Sequence, residues 1–428
     1  MNPIIERRMR LKTPLLPAVA ALLLIVHQFT PYRGWWILLL GLGGLWLAAY
    51  VWTRTLMRHL DFQREIRSVW TQVGDQMAER FTLTNDSWVP APWVEVTDHS
   101  TLPDYRPNRV VSLRWRDATS WEERSVCSRR GAFILGPTTL ITGDPFGIYQ
   151  ATLKHNAKLP ITVLPPVVPL PPLWIRANGD TGESSDRQRA LEYAVSAAGV
   201  REYQPGDSLR RIHWRTSARR DDLFVRLFDG PTTHSWWIVL DLDRRAHVGA
   251  GNDGTEEHAV ILAASLAEQG IRTRQSVGLA AQGERLIWVP PQNDHNHRWQ
   301  ILNGLARARP GPHTLADFLN RLAFRVGNQA GLIVITPAVS GDWLEALTPL
   351  LQREVTSKVF LLDPASFGGD GNLRQMETML SEMRLDYHII PRGFLEDREP
   401  QPIEHGWAPA GEGSADDTSS RSDWRELV

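Results

Sequence analysis

The sequence predicts three parts in series: two N-terminal transmembrane helices, a small antiparallel β-sandwich, and an α/β domain on a mostly parallel sheet. Three observations carry this. Two apolar stretches lie before residue 53, short alternating runs broken by turn residues follow, and from Ser235 continuous apolar runs alternate with helical spacing. A chain of 428 residues has room for such a series at roughly 150 residues per domain.

The first apolar stretch, residues 15–29, is short and carries Pro17, His27 and Gln28. The second, residues 35–52, has no charged side chain and approaches the ~20 residues that cross a hydrocarbon core. Tyr32, Trp35 and Trp36 stand at one end and Tyr50 and Trp52 at the other, where interfacial aromatics belong. Only residues 31–34 join the stretches, so they form a tight hairpin with spans at about 14–30 and 35–52 inside a segment 1–67. Arg7, Arg8, Arg10 and Lys12 precede the hairpin, Arg54, Arg58, Arg64 and Arg67 follow it, and the turn holds Arg33 alone. This bias places both flanks and both termini in the cytoplasm, and the chain in the inner (cytoplasmic) membrane as a multi-pass protein. A cleaved signal peptide is the competing reading, and no small-residue cleavage site supports it.

Residues 68–172 read as the β-rich domain. Arg80-Phe-Thr-Leu-Thr-Asn85, Trp93-Val-Glu-Val-Thr97 and Val110-Val-Ser-Leu-Arg-Trp115 alternate with period two between turn residues such as Pro90, Pro103 and Gly136-Pro137. Leu164-Pro-Pro-Val-Val-Pro-Leu-Pro-Pro172 offers too few donors for a central strand and reads as a stiff linker. Residues 173–234 hold a polar loop and an arginine-rich block.

Residues 235–395 carry apolar strands at 236–240, 276–280, 285–289, 331–335, 358–362 and 387–390, separated by amphipathic segments. That rhythm predicts a parallel sheet covered on both faces. The short turn at Gln282-Gly283 predicts one antiparallel edge hairpin. The acidic tail 396–428 is rich in Pro, Gly, Ser and Asp and has too little apolar content to fold.

Val200-Arg-Glu-Tyr-Gln-Pro-Gly-Asp207, then Arg210-Arg-Ile-His-Trp-Arg215 and Ser217-Ala-Arg219, form the most distinctive stretch. With Arg130-Gly131, Leu135-Gly136-Pro137 and Asp144-Pro-Phe-Gly147 upstream, it resembles the bacterial family called domain of unknown function 58. That resemblance implies an α/β domain similar to the von Willebrand factor type A fold (Rossmann-like) beside a β-rich domain. It also implies association with a MoxR-type AAA ATPase, and no established reaction.

Two readings of the arginine block stay open. Arg201, Glu202, Tyr203, Gly206, Asp207, Arg211, Trp214, Arg215 and Arg219 could form a surface for a protein or anionic partner, since guanidinium forks match carboxylate and phosphate. Alternatively the arginines pair internally with Glu202, Asp207, Asp221 and Asp222. The interleaving of acids and bases favours the second reading for most of the block and is unlike a nucleic-acid patch.

Type A domains often hold a cation through Asp-x-Ser-x-Ser after the first strand. Here Asp241-Leu-Asp243-Arg244-Arg245 keeps the first Asp and puts Asp243 and Arg245 in place of the serines, and the strand 331–335 is followed by Thr336-Pro-Ala-Val with no Asp where that fold would offer one. This degenerate pattern predicts no metal. His295-Asn-His297 reads as a solvated loop, and the single cysteine, Cys127, excludes an intrachain disulfide or a cysteine zinc cluster and reads as a plain strand thiol. No Walker loop, nucleophile elbow or dinucleotide fingerprint occurs, so no cofactor and no catalytic residue is expected. The expected function is a non-enzymatic membrane-anchored scaffold or adaptor. The alternative is a cell-envelope enzyme that clamps an anionic substrate with the arginine block.

Overall fold

The computed structural model describes residues 6–30, 32–171, 197–202, 217–219, 222–228, 235–292, 296–326, 330–353, 355–396 and 398–401. The chain divides into two compact units, one reaching to Pro166 and the other running from Val167 to Gln401.

The first unit contains β1 (Glu6–Leu11), α1 (Leu15–Phe29), α2 (Arg33–His59), β2 (Leu60–Ile66), β3 (Trp70–Gln72), β4 (Gln76–Asn85), β5 (Ala91–Asp98), β6 (Arg109–Leu113), β7 (Asp117–Val126), β8 (Gly131–Leu135), β9 (Thr138–Gly143), β10 (Tyr149–His155) and β11 (Leu159–Leu164). A five-stranded sheet has the order β1-β10-β9-β5-β6, and two three-stranded sheets have the orders β2-β4-β7 and β3-β11-β8. Strict alternation in β4 and β2 turns Phe62, Phe81 and Leu83 inward, where they meet Val94, Val96, Leu140 and Leu153 of the larger sheet. The two sheets share one core. The unit is not wholly antiparallel, because β3 runs parallel to β11.

Of the two apolar helices, α2 is long and apolar enough to cross a membrane, and α1 is shorter. The two helices pack against each other, and Leu22, Leu24, Trp36, Ile37, Leu40 and Leu47 are exposed. The basic flanks of the hairpin form strands. Glu6–Leu11 pairs with β10, and Leu60–Ile66 pairs with β4. α2 continues past residue 52 because Ala49, Thr53 and Leu56 bury one face of its last turns in the unit's core. Both roots of the hairpin are therefore stitched into the sandwich.

The second unit holds a two-stranded ribbon, β12 (Ala197–Glu202) with β13 (Phe224–Phe228), and a six-stranded sheet. That sheet comprises β14 (Ser235–Leu240), β15 (Ser276–Gln282), β16 (Leu286–Gln292), β17 (Gly331–Thr336), β18 (Thr356–Leu362) and β19 (Asp386–Ile390), in the order β16-β15-β14-β17-β18-β19. Every pairing is parallel except β15 with β16, the edge hairpin the sequence predicts. α3 (Thr255–Arg272), α4 (His297–Ala306), α5 (Leu315–Leu322), α6 (Asp342–Leu351), α7 (Leu373–Glu382) and α8 (Gly393–Glu396) complete the unit. Trp237, Val239, Val334 and Leu361 bury one face of the sheet against Phe318 and Leu319 of α5, Trp343 and Leu347 of α6, and Met376 and Leu380 of α7. Chain order reverses between β14 and β17, which makes a crevice at the carboxyl ends of these strands.

The proline-rich segment is held against the second unit. Val167 and Val168 are buried, the Val168 N–H donates to Ser265 Oγ at 2.9 Å, and Gln269 Nε2 donates to the Pro171 carbonyl at 2.9 Å. Its two valines are buried and its backbone bonds α3, and the second unit begins at Val167. Gln401 bridges back to Val167, which ties the start of the tail down, while residues 402–428 lie outside the described part.

Candidate functional site

Asp241 follows β14 and Thr336 ends β17, so the crevice brings together two residues 95 positions apart. The Thr336 hydroxyl donates to Asp241 Oδ2 at 2.6 Å, and the Asp243 N–H donates to Oδ1 at 2.9 Å. The carboxylate is 2% exposed as a residue, and burial pushes its pKa up against the lowering effect of those two donors. Thr336 Oγ also accepts from Ala338 N at 2.9 Å, which fixes the turn after β17.

The next layer is a turn built on Asp243. Its Oδ1 accepts the Arg245 N–H at 3.0 Å, and the Arg245 Nε lies 3.7 Å away. The Arg245 guanidinium reaches the Pro312 carbonyl at 3.3 Å and is largely exposed. His247 braces the turn from behind, with Nε2 3.0 Å from the Asp241 carbonyl and Nδ1 3.0 Å from Thr255 Oγ. The first contact requires Nε2 to carry a proton, since a carbonyl only accepts.

Around this floor opens a pocket of about 330 Å³. Asp243, Asp342 and Asp370 contribute carboxylates to its wall beside Asp241, and Arg245 is the one basic side chain of the described lining. Thr314 lies at its rim, where it caps α5 by accepting the Asp317 N–H at 3.1 Å. The pocket therefore offers an acidic concavity at the switch point.

Both Asp241 oxygens already accept protein donors and Asp243 accepts its own turn. Among the described residues, no group of three His, Cys, Asp or Glu side chains is placed to hold a metal ion.

The arginine block is described only in part. Arg201 and Glu202 lie on β12 opposite Val225 and Phe224 of β13. Arg219 is exposed on a short helical turn at 217–219. Tyr203, Gly206, Asp207, Arg211, Trp214 and Arg215 lie outside the described residues. Sequence reasoning selected Asp241 and Asp243 but missed Asp342, Asp370 and His247. Their only sequence signal is position after strand ends at a reversal of strand order, and that order is a tertiary fact. The expectation of a solvated loop at His297 needs correction: it is 2% exposed, begins α4, and its Nε2 bonds the Val277 carbonyl. Cys127 is fully buried, and burial pushes its thiol up to about 11.

Residues 199–377 match the model of a family described as protein of unknown function DUF58. An uncharacterized protein of Bacillus subtilis, YeaD, is 24% identical over 302 residues, covering 67% of this chain and 73% of its own. Uncharacterized protein Rv1480 of Mycobacterium tuberculosis is 25% identical over 227 residues, 46% of this chain and 71% of its own. Among solved structures, the CARDB domain of the PF1109 protein from Pyrococcus furiosus matches 24% of this chain and 94% of its own at 13% identity, with a TM-score of 0.19. The C-terminal domain of wzt matches 29% of this chain and 81% of its own at 12% identity, with a TM-score of 0.20. Likeness at those scores carries no argument about fold.

Proposed function

We propose that this chain is a full member of the DUF58 family and acts as a membrane-anchored, non-enzymatic adaptor. In this reading α1 and α2 cross the cytoplasmic membrane as two spans with both termini inside. The second unit is a von Willebrand factor type A-like domain whose switch-point pocket receives a protein partner. The resemblance set out from the sequence makes a MoxR-type AAA ATPase the first partner to test.

The carrying observation is the hairpin, with its exposed apolar surface and both roots paired into one sandwich through β1 and β2. A polypeptide that leaves and re-enters one folded unit must return to the side it started from, which supports an even number of crossings. The basic side chains on both flanks support the cytoplasmic side. The acidic pocket supports a protein partner that presents a cationic group.

The test is affinity capture of the full chain from membranes in mild detergent, followed by mass spectrometry. Recovery of an AAA ATPase that is lost with Asp243→Arg, at unchanged chain recovery, is the expected result. Its absence under gentle extraction overturns the partner assignment. Release of the chain by carbonate wash overturns the anchor.

A further inference from the structure

The strand registers place three loops at the end of the sandwich from which the hairpin emerges. Leu60 pairs with Asn85 and Asn85 with Asp117, so the β4–β5 loop and the β6–β7 turn lie beside the root of α2. Leu11 pairs with Tyr149, so the β9–β10 loop lies beside the root of α1. Each loop carries one exposed aromatic: Trp88 at 66%, Trp115 at 62% and Phe146 at 57%. Outside the helices and Tyr32 in the turn that joins them, these are the exposed large aromatics of the unit's described residues, and the opposite end has none among those residues. Arg114, Arg116 and Lys12 are exposed beside them.

The loops are built to hold these side chains outward. Asn85 Nδ2 donates to the carbonyls of Val89 and Arg114 at 2.9 and 2.8 Å, which locks two loops together. The buried Asp144 carboxylate accepts the N–H groups of Phe146, Ile148 and Tyr149 at 2.9, 3.2 and 2.6 Å. Trp52 of α2 donates its Nε1 to the Pro90 carbonyl at 3.1 Å, so the first loop is fixed to the helix itself.

We infer that this end of the sandwich docks on the anionic surface of the bilayer, with Trp88, Trp115 and Phe146 in the interface and the cationic side chains on lipid phosphates. The inference rests on the membrane reading above and extends it. Length argues for it: the 15 residues of α1 span roughly 22 Å against a hydrocarbon core of about 30 Å, so the roots are drawn to the headgroups. Trp and Phe rings favour that layer, and arginine and lysine near it meet negative lipid charge.

The test uses full-length protein in nanodiscs containing phosphatidylglycerol, or phosphatidylcholine alone, with an environment-sensitive fluorophore on Trp88→Cys, Trp115→Cys or Phe146→Cys. Buried Cys127 does not compete for the label in the folded chain. Leu40→Cys on α2 reports insertion, and Val69→Cys reports the opposite end of the sandwich. Expected are blue-shifted emission and loss of quenching by iodide at the three loop positions and at Leu40→Cys, none at Val69→Cys, and larger loop shifts with phosphatidylglycerol. Water-exposed loop labels with a lipid-embedded Leu40→Cys label overturn the docking and leave the anchor standing. A water-exposed Leu40→Cys label overturns both. Equal loop shifts in the two lipids overturn the anionic assignment.

Discussion

The hydroxyl of Thr336 donates to the buried carboxylate of Asp241 across 2.6 Å, joining the carboxyl ends of neighbouring parallel strands at the point where strand order reverses. The same oxygen holds Ala338 N, so one hydroxyl fixes both the pocket floor and the turn that leads to α6. Thr336→Val keeps the shape and removes both bonds, leaving the Asp241 oxygen without its donor. It should cost about 1–3 kcal/mol in chemical unfolding of the detergent-solubilised chain. A change within error would show that the pair carries no stability.

Asp241 also sets a pH dependence. Burial holds its folded pKa above the ordinary carboxylate value, with the Thr336 and Asp243 donors and His247 opposing and the Asp243 charge reinforcing. The folded chain thus keeps this proton to a higher pH than the unfolded chain does. The contribution is fully present below the ordinary pKa and is lost as pH rises through the folded one. Glu79 and Glu268 are shifted the same way by burial, whereas the hydrogen bonds from Lys154 to Glu6 and from Arg124 to Glu122 lower those two and act in the opposite sense. The Asp241 contribution is therefore read as a difference between variant and parent. Asp241→Asn should flatten part of that slope in paired unfolding curves across the range. An unchanged slope would remove Asp241 from the account.

In the sandwich, one guanidinium serves two carboxylates. Arg64 reaches Glu79 at 2.7 Å and Asp98 at 2.9 Å, with all three side chains at most 2% exposed. Tyr105 donates to Glu79, and Thr138 donates to Asp98 at 2.8 Å. Arg64→Met would leave two buried acids without their cation, and breaking such a group costs about 3–5 kcal/mol. Thermal unfolding of the variant should fall correspondingly and recover in part when Glu79→Gln and Asp98→Asn are added. Failure of the added changes to restore any stability would mean that lost packing, not charge, was the cause.

How much of this could be read beforehand depends on the range of the interactions. The strands of the second unit are legible because β14, β17 and β18 are continuous apolar runs, buried at nearly every position. The flanks of the hairpin are not. Glu6-Arg-Arg-Met-Arg-Leu11 carries too little apolar alternation to announce a strand, and its pairing with β10 spans well over a hundred residues of sequence. The burial of His297 is illegible for a similar reason, since its acceptor, the Val277 carbonyl, lies 20 residues away on β15 and local polarity does not reveal it. Asp241 was visible as the residue after a buried strand, whereas the residues that complete its pocket depend on strand order.

A backbone crossing at Gly311 holds the Asp243 turn. Gly311 N–H donates to the Leu242 carbonyl at 2.8 Å, its own carbonyl accepts Arg244 N–H at 3.0 Å, and Asp243 forms a parallel bridge with it. A Cβ on Gly311 would lie 2.2 Å from the Gly283 carbonyl carbon and 2.3 Å from its oxygen, and these are backbone atoms with little room to move. Gly311→Ala should therefore push the segment away from Gly283 and loosen its bonds to Leu242 and Arg244, at about 1–3 kcal/mol as for other overpacked sites. The local signature is faster amide hydrogen exchange at Arg244 and Arg245, with the amides of β18 unaffected. Partner capture should weaken in parallel if the pocket is the contact surface. Unchanged exchange at those two amides would show that the turn is held by Asp243 alone.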